Sequence, residues 1–347
     1  MSAAHRSVES LFRPLDAVRR AALKTLGPVA RPFIRNRSLR VAAFGCTVVA
    51  LSLLTTIAAP FWLLALGPIL WGIPHLVSDL RYLVFRPGLH RQKRLWGPVG
   101  IPLVIAGTGF FPMYFGLLAA LAAALLATGT AARKCLATLG LASLFAAVVA
   151  AGNLAQLVFA HLHNFIAVLL WWLWRPRVGW LTATVPLLFL GCSILLFTGL
   201  VAPPEISLGW APAALPFEGH AAAMAPGLES PWALRLVLLF AFAQAVHYGV
   251  WLRLIPEDDR PQKSPRTFAA SFRALRVDMG GTILTVAALF AAGVAVWAVV
   301  DLARARNGYL RLALFHGYLE LAAAAMLFVS GGALRKQSSP TAAPISR

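Results

Sequence analysis

Trp71-Gly-Ile-Pro-His75-Leu-Val-Ser-Asp79 puts a histidine and a carboxylate inside a stretch otherwise apolar enough to lie in a lipid bilayer. An ionisable group at that depth costs several kcal/mol unless it has a partner or a function. Near the other end of the chain, Phe315-His316-Gly-Tyr-Leu-Glu320 repeats the arrangement, with the carboxylate again four residues after the histidine. On a helix that spacing puts both groups on one face, one turn apart. Two more apolar stretches carry His161 with His163, and Gln244 with His247. The four stretches read as parts of one buried site.

The rest of the composition agrees with a membrane setting. Of 347 residues, 59% are hydrophobic and 12% charged, and the mean hydropathy of +0.75 is far above that of a soluble globular chain. Apolar runs long enough to cross a hydrocarbon layer of ~30 Å recur along most of the length. They are continuous rather than alternating, which excludes the in-out pattern of a β-barrel. The expected fold class is an all-α polytopic transmembrane bundle of about ten spans (8–10). They lie near 41–59, 61–83, 96–111, 113–131, 135–151, 153–174, 179–200, 232–254, 279–301 and 309–332.

The net charge of +19 would suggest nucleic acid in a soluble protein, but its placement argues otherwise. Of 31 Lys and Arg residues, 27 fall in alternate loops and the termini, leaving Arg235, Arg304, Arg306 and Arg311 on the other side. Positive residues concentrate on the cytoplasmic side of membrane proteins, so both termini are expected there. No aromatic–basic interleaving accompanies the charge, and no nucleic-acid partner is expected. Cys46, Cys135 and Cys192 have no metal-like spacing and read as small core residues.

Three regions follow from this reading. Residues 1–40 form a basic cytoplasmic segment, in which 8–35 suits either an interfacial helix or a solvated tail. Residues 41–333 form the membrane domain, within which 256–267 reads as a flexible polar loop. Residues 334–347 form a disordered tail. Trp171, Trp172 and Trp174 read as an interfacial aromatic belt.

Depth links the histidines. At ~1.5 Å per residue from the outer ends of their spans, His75, His163, His247 and His316 lie roughly 21, 15, 22 and 11 Å in, within one slab on the order of 10 Å thick. His161 and His163 point to nearly opposite sides of their helix. The polar stripe of Asn153, Gln156 and Asn164 favours His163, while His161 sits one turn from Asn164, so both are candidate ligands. Asp79 and Glu320 suit the role of orienting a ligating imidazole through its second N–H, as Gln244 does beside His247. Imidazole donors without cysteine suit a non-haem metal and exclude an iron–sulfur centre. The same groups also fit a haem held by two histidines, a proton or ion pathway, or pairs that merely seal helices together.

Gly72-Ile-Pro-His75-x-x-x-Asp79 in a membrane helix resembles a motif of the bacterial Brp/Blh family of polytopic β-carotene 15,15′-dioxygenase-like proteins. Family members often carry Gly-Ala after the motif histidine and a second histidine after the aspartate, where this chain has Leu76-Val77 and Leu80. The resemblance implies a non-haem Fe(II) centre, an O2-dependent oxidation or cleavage of a carotenoid or similar apolar lipid, and a bacterial inner membrane. A substrate of that kind enters sideways from the bilayer and requires no soluble domain.

Overall fold

The computed structural model describes residues 10–174, 179–260 and 264–331. The tail at 334–347, the first nine residues and the side chain of Asn153 lie outside that description. Helix is the only regular secondary structure among the described residues, with no strand. Helices α1 (Arg13–Thr25) and α2 (Gly27–Arg35) lead into α3 (Arg37–Ala58) and α4 (Pro60–Asp79), which continues as a π-helical turn over Leu80–Phe85. A short pair follows, α5 (Ile101–Gly107) and α6 (Pro112–Leu126), then α7 (Ala131–Ala151), α8 (Asn153–Leu173) and α9 (Trp180–Thr198). The loop beyond carries α10 (Glu205–Gly209) and α11 (Phe217–Met224). Next comes α12 (Trp232–Gly249), with a π turn at Val250–Leu254 and α13 (Ile255–Asp258), then α14 (Phe268–Met279), α15 (Gly281–Val300) and α16 (Leu302–Ser330).

Eight of these helices are long and apolar enough to cross a membrane. The expected spans near 96–111 and 113–131 form helices but shorter ones. Pro98 and Pro102 interrupt the first, a turn with left-handed Gly109 and Phe111 ends it, and α6 has 15 residues, ~22 Å of rise. The pair folds against α16, which runs along α6. Contacts between helices are close where a glycine faces a larger residue. A Cβ on Gly45 would lie 2.5 Å from Val185, on Gly249 2.3 Å from Val48, and on Gly116 2.2 Å from the Tyr318 ring. With no hydrophobic drive between helices in lipid, such small-residue contacts let dispersion hold the bundle. α15 and α7 are the least buried spans, and α4, α12 and α16 form the centre.

On one face of the bundle the charged loops are tied down. Glu257 accepts from Arg40 at 2.6 and 2.9 Å and pairs with Arg260, while Arg86 pairs with Asp259 and Arg81 with Asp278. Glu257, Asp258 and Arg260 are buried, so the expectation of a flexible polar loop fails at 256–260. Residues 261–263 lie outside the description. Trp171 donates to Asp258 at 2.7 Å and Trp174 to Asp259 at 3.3 Å, and both rings are buried. These two therefore anchor carboxylates inside the bundle rather than forming a lipid-facing belt. The segment 8–35 is helical where described, and Asp16 caps α14 by accepting from the amides of Phe268 and Ala269 at 2.7 and 3.2 Å. Helix α1 thus docks on α14, with Phe12 against Phe272.

At the opposite face α11 closes over the bundle. His220 is buried and stacks on Phe61 with ring centroids 5.7 Å apart. Burial, with Arg306 nearby, pushes its imidazole down to about 4, against the opposing effect of the Leu215 carbonyl. The unfolded segment takes up a proton near pH 6.5 and the folded one only near 4. Stability from His220 is thus complete above pH 6.5 and drains away as pH falls to about 4. Hydrogen exchange of residues 217–224 is expected to speed up across that window, and His220→Phe to flatten the dependence.

Candidate metal centre

Four imidazoles meet in the middle of the bundle: His75 from α4, His163 from α8, His247 from α12 and His316 from α16. Ring centroids lie 4.8 Å apart for His75–His316, 5.0 for His163–His247, 5.2 for His163–His316, 5.3 for His75–His247 and 5.7 for His247–His316. His75 and His247 are buried, whereas His163 and His316 keep partial exposure, and all four line a cavity of about 160 Å³ between the helices.

Local helix geometry sets the direction of three rings. His75 Nδ1 donates to the Gly72 carbonyl at 2.6 Å, His163 Nδ1 to Ala160 at 3.0 Å, and His316 Nδ1 to Ala313. A carbonyl only accepts, so these contacts make Nδ1 the protonated nitrogen and leave Nε2 with a free lone pair. Nε2 of His75 and His316, and both nitrogens of His247, are buried without a hydrogen-bond partner. Native proteins rarely leave such atoms unsatisfied, and binding an ion is one of the few ways to satisfy them.

The carboxylates stand on the same side as these lone pairs. Asp79 Oδ2 is 3.6 Å from His75 Nε2, and Glu320 Oε1 is 3.8 Å from His247 Nε2. Both are fully buried, and neither Asp79 oxygen has a hydrogen-bond partner. One donor atom each from His75, His247 and His316 lies within 4.8 Å of the others, and the same holds for Asp79, His316 and Glu320. The orienting role expected of the carboxylates falls instead to backbone carbonyls three residues upstream, which lie within hydrogen-bond reach of Nδ1, whereas Asp79 stays 3.6 Å from His75 Nε2. Asp79 and Glu320 are placed among the donor atoms themselves.

His161 is not part of the cluster. Its Nε2 lies 2.9 Å from the Met224 carbonyl and its ring stands edge-on to Phe240, so it ties α8 to the end of α11. This corrects its candidacy as a ligand, and the cause is the two-residue offset that turns it to the other side of α8. Gln244 is buried and lines the cavity, as do Tyr248 and Tyr318. Two further residues were not singled out in the sequence. Trp251 donates to Glu320 at 2.8 Å, and Tyr309 lines the cavity with a buried, unpartnered hydroxyl. Each had a signal, since Trp251 is four residues after His247 and Tyr309 seven before His316, on the same helix faces.

Gly72 serves this wall. A Cβ there would lie 2.3 Å from the Tyr309 ring. Gly72→Ala is therefore expected to lower stability by about 1–3 kcal/mol through overpacking, read from denaturant unfolding, with the Tyr309 ring displaced beside His75. Comparisons of the chain with protein-family models, with curated proteins and with solved structures find no match.

Proposed function

We propose that this protein is a membrane-embedded, iron-dependent oxygenase that oxidises or cleaves a carotenoid or another long apolar lipid with O2. One observation carries the reading: imidazoles from four helices converge at mid-bundle, with unpartnered nitrogens facing two buried carboxylates. Nitrogen and oxygen donors without thiolate suit a non-haem iron ion. His75, His163, His247 and His316 would hold it, with Asp79 and Glu320 as further donors or as acceptors of a proton from a bound water. The ion would supply O2 activation. The chain's own contribution is to fix the rings through the Gly72, Ala160 and Ala313 carbonyls and to present an apolar wall to the substrate. Asp79 and Glu320 would supply negative charge to a bound cation, because a buried carboxylate is tolerated only with compensating charge.

The likeness of Gly72-Ile-Pro-His75-x-x-x-Asp79 to the Brp/Blh motif supports the same chemistry. The charge asymmetry supports a bundle of about ten spans, counting α5 and α6, with both termini cytoplasmic, and we place it in a bacterial inner membrane. Haem fits less well, since the five ring pairs in contact are only 4.8–5.7 Å apart and leave no slot for a macrocycle between them. A proton-coupled carrier is the second reading, favoured by the adjacent buried carboxylates Asp79 and Glu320.

The deciding experiment measures metal content and visible spectrum of the detergent-purified protein, followed by O2 uptake with β-carotene. Bound iron in stoichiometric yield without a Soret band, and O2 uptake that stops on chelation, are expected. Folded protein free of metal after purification without chelators would overturn the iron reading and leave the carrier in front.

A further inference from the structure

The histidine cavity is closed on one side by two aromatic rings. Phe159 of α8 and Tyr318 of α16 stack with parallel planes and centroids 4.8 Å apart, and Phe159 also lies over His163 at 6.2 Å. Both rings line the histidine cavity, and both line a second cavity of about 210 Å³. Apart from Tyr318, every side chain around that second cavity is apolar, among them Met113, Leu117, Leu144 and Leu162. Leu144, Val158 and Leu162 are exposed at its rim, and α7, which forms one side, is among the least buried spans. The groove therefore opens onto the lipid-facing surface of the bundle.

We infer that this groove is the lateral port and tail-binding subsite for a linear apolar chain drawn from the bilayer, with Phe159 as the movable leaf of the door to the histidines. Ions and water find no partner on such a wall, and burying them there unpaired is costly. A flat or extended hydrocarbon chain packs well on it, and aromatic faces accept a planar one by offset stacking. The two leaves differ in freedom. Tyr318 is fully enclosed, and Gly116 lacks the Cβ that would strike its ring at 2.2 Å, so it is held as a fixed jamb. Phe159 is only half-buried and has the groove to swing into. From Leu154 to Leu162 the groove follows nine residues of α8, ~12 Å of rise, close to half the ~30 Å hydrocarbon layer. An occupant whose end reaches His163 thus lies along one leaflet. What happens to that end rests on the oxygenase reading; the binding does not.

The test uses the full chain in phosphatidylcholine vesicles with a hexadecanoic acid bearing a terminal diazirine. After irradiation, labelled peptides are mapped and metal content is measured on the same samples. Labels are expected on Val158 and Leu162 of the groove and on Leu310 and Leu314 of the histidine cavity. Val158→Trp and Leu162→Trp, which plug the groove at exposed positions, are expected to abolish the cavity labels without changing metal content. Phe159→Ala is expected to increase them. Groove labelling no stronger than that of lipid-facing α15, or cavity labelling indifferent to both plugs, would overturn the inference. The labelling pattern without metal would sink the iron reading alone; metal with labels spread evenly over the lipid-facing surface would sink the port alone.

Discussion

On the proposed iron reading, the double variant His75→Ala/His247→Ala is expected to bind almost no iron while keeping its helical content and its elution as a folded species. His75 presents a single free nitrogen to the centre because Nδ1 is committed to Gly72, so alanine removes that donor with no substitute. His247 is the ring with no bond to its own helix, held only by its neighbours and by Glu320 at 3.8 Å. Losing one outer hydrogen-bond partner of a ligand typically weakens metal binding 10–100-fold. Loss of two donors is expected to exceed about 100-fold, and with it any O2-dependent activity. His161→Ala is the matched control, since its ring binds the Met224 carbonyl away from the cluster. Equal metal content in the double variant and the wild type would place the metal elsewhere. Loss in His161→Ala as well would point to general destabilisation.

Glu257→Ala is expected to have the largest effect on stability. Glu257 is buried and serves Arg40 and Arg260, which are themselves buried. Removing one partner of a buried ion pair costs about 3–5 kcal/mol, because the remaining charge loses its compensation without regaining water. Arg40 keeps the carbonyls of Phe33 and Ile34, which limits the loss but does not supply a negative charge. Arg253→Ala provides the contrast: that side chain is 43% exposed and 3.6 Å from Glu257, and exposed pairs contribute about 0–1 kcal/mol. Denaturant unfolding in one detergent should separate the two variants clearly. A Glu257→Ala loss no larger than that of Arg253→Ala would mean that the network is hydrated in the folded protein. Glu257→Gln, which keeps shape and an acceptor, is expected to fall between them.

The contrast between these two regions explains what the chain makes legible. His75, His163, His247 and His316 stood out because an ionisable residue inside an apolar run is conspicuous, and a rise of ~1.5 Å per residue converts position into depth. Glu257, Asp258 and Arg260 did not stand out. In a polar stretch between spans, charged residues are the default composition, and nothing local says that Arg40, 217 residues away, closes over one of them. Trp171 and Trp174 show the same blindness. An aromatic near the end of an apolar run fits the interfacial pattern, and only the packing of α13 beneath the rings turns them inward to Asp258 and Asp259.

By itself the sequence determined that this is a helical membrane protein and which residues are too polar for their surroundings, because hydropathy and helical rise are local properties. It also narrowed α8 to His161 or His163 and favoured His163 on its polar stripe, while leaving both as candidates. The tertiary structure alone decided that choice, since rotation of a helix about its axis is set by what packs on each side: Met224 and Phe240 take His161, and the ring cluster takes His163. It likewise placed Glu320 beside His247 and Trp251 rather than leaving it paired only within its own helix. Contacts between helices far apart in the chain depend on crossing and rotation, and no spacing within one helix encodes them.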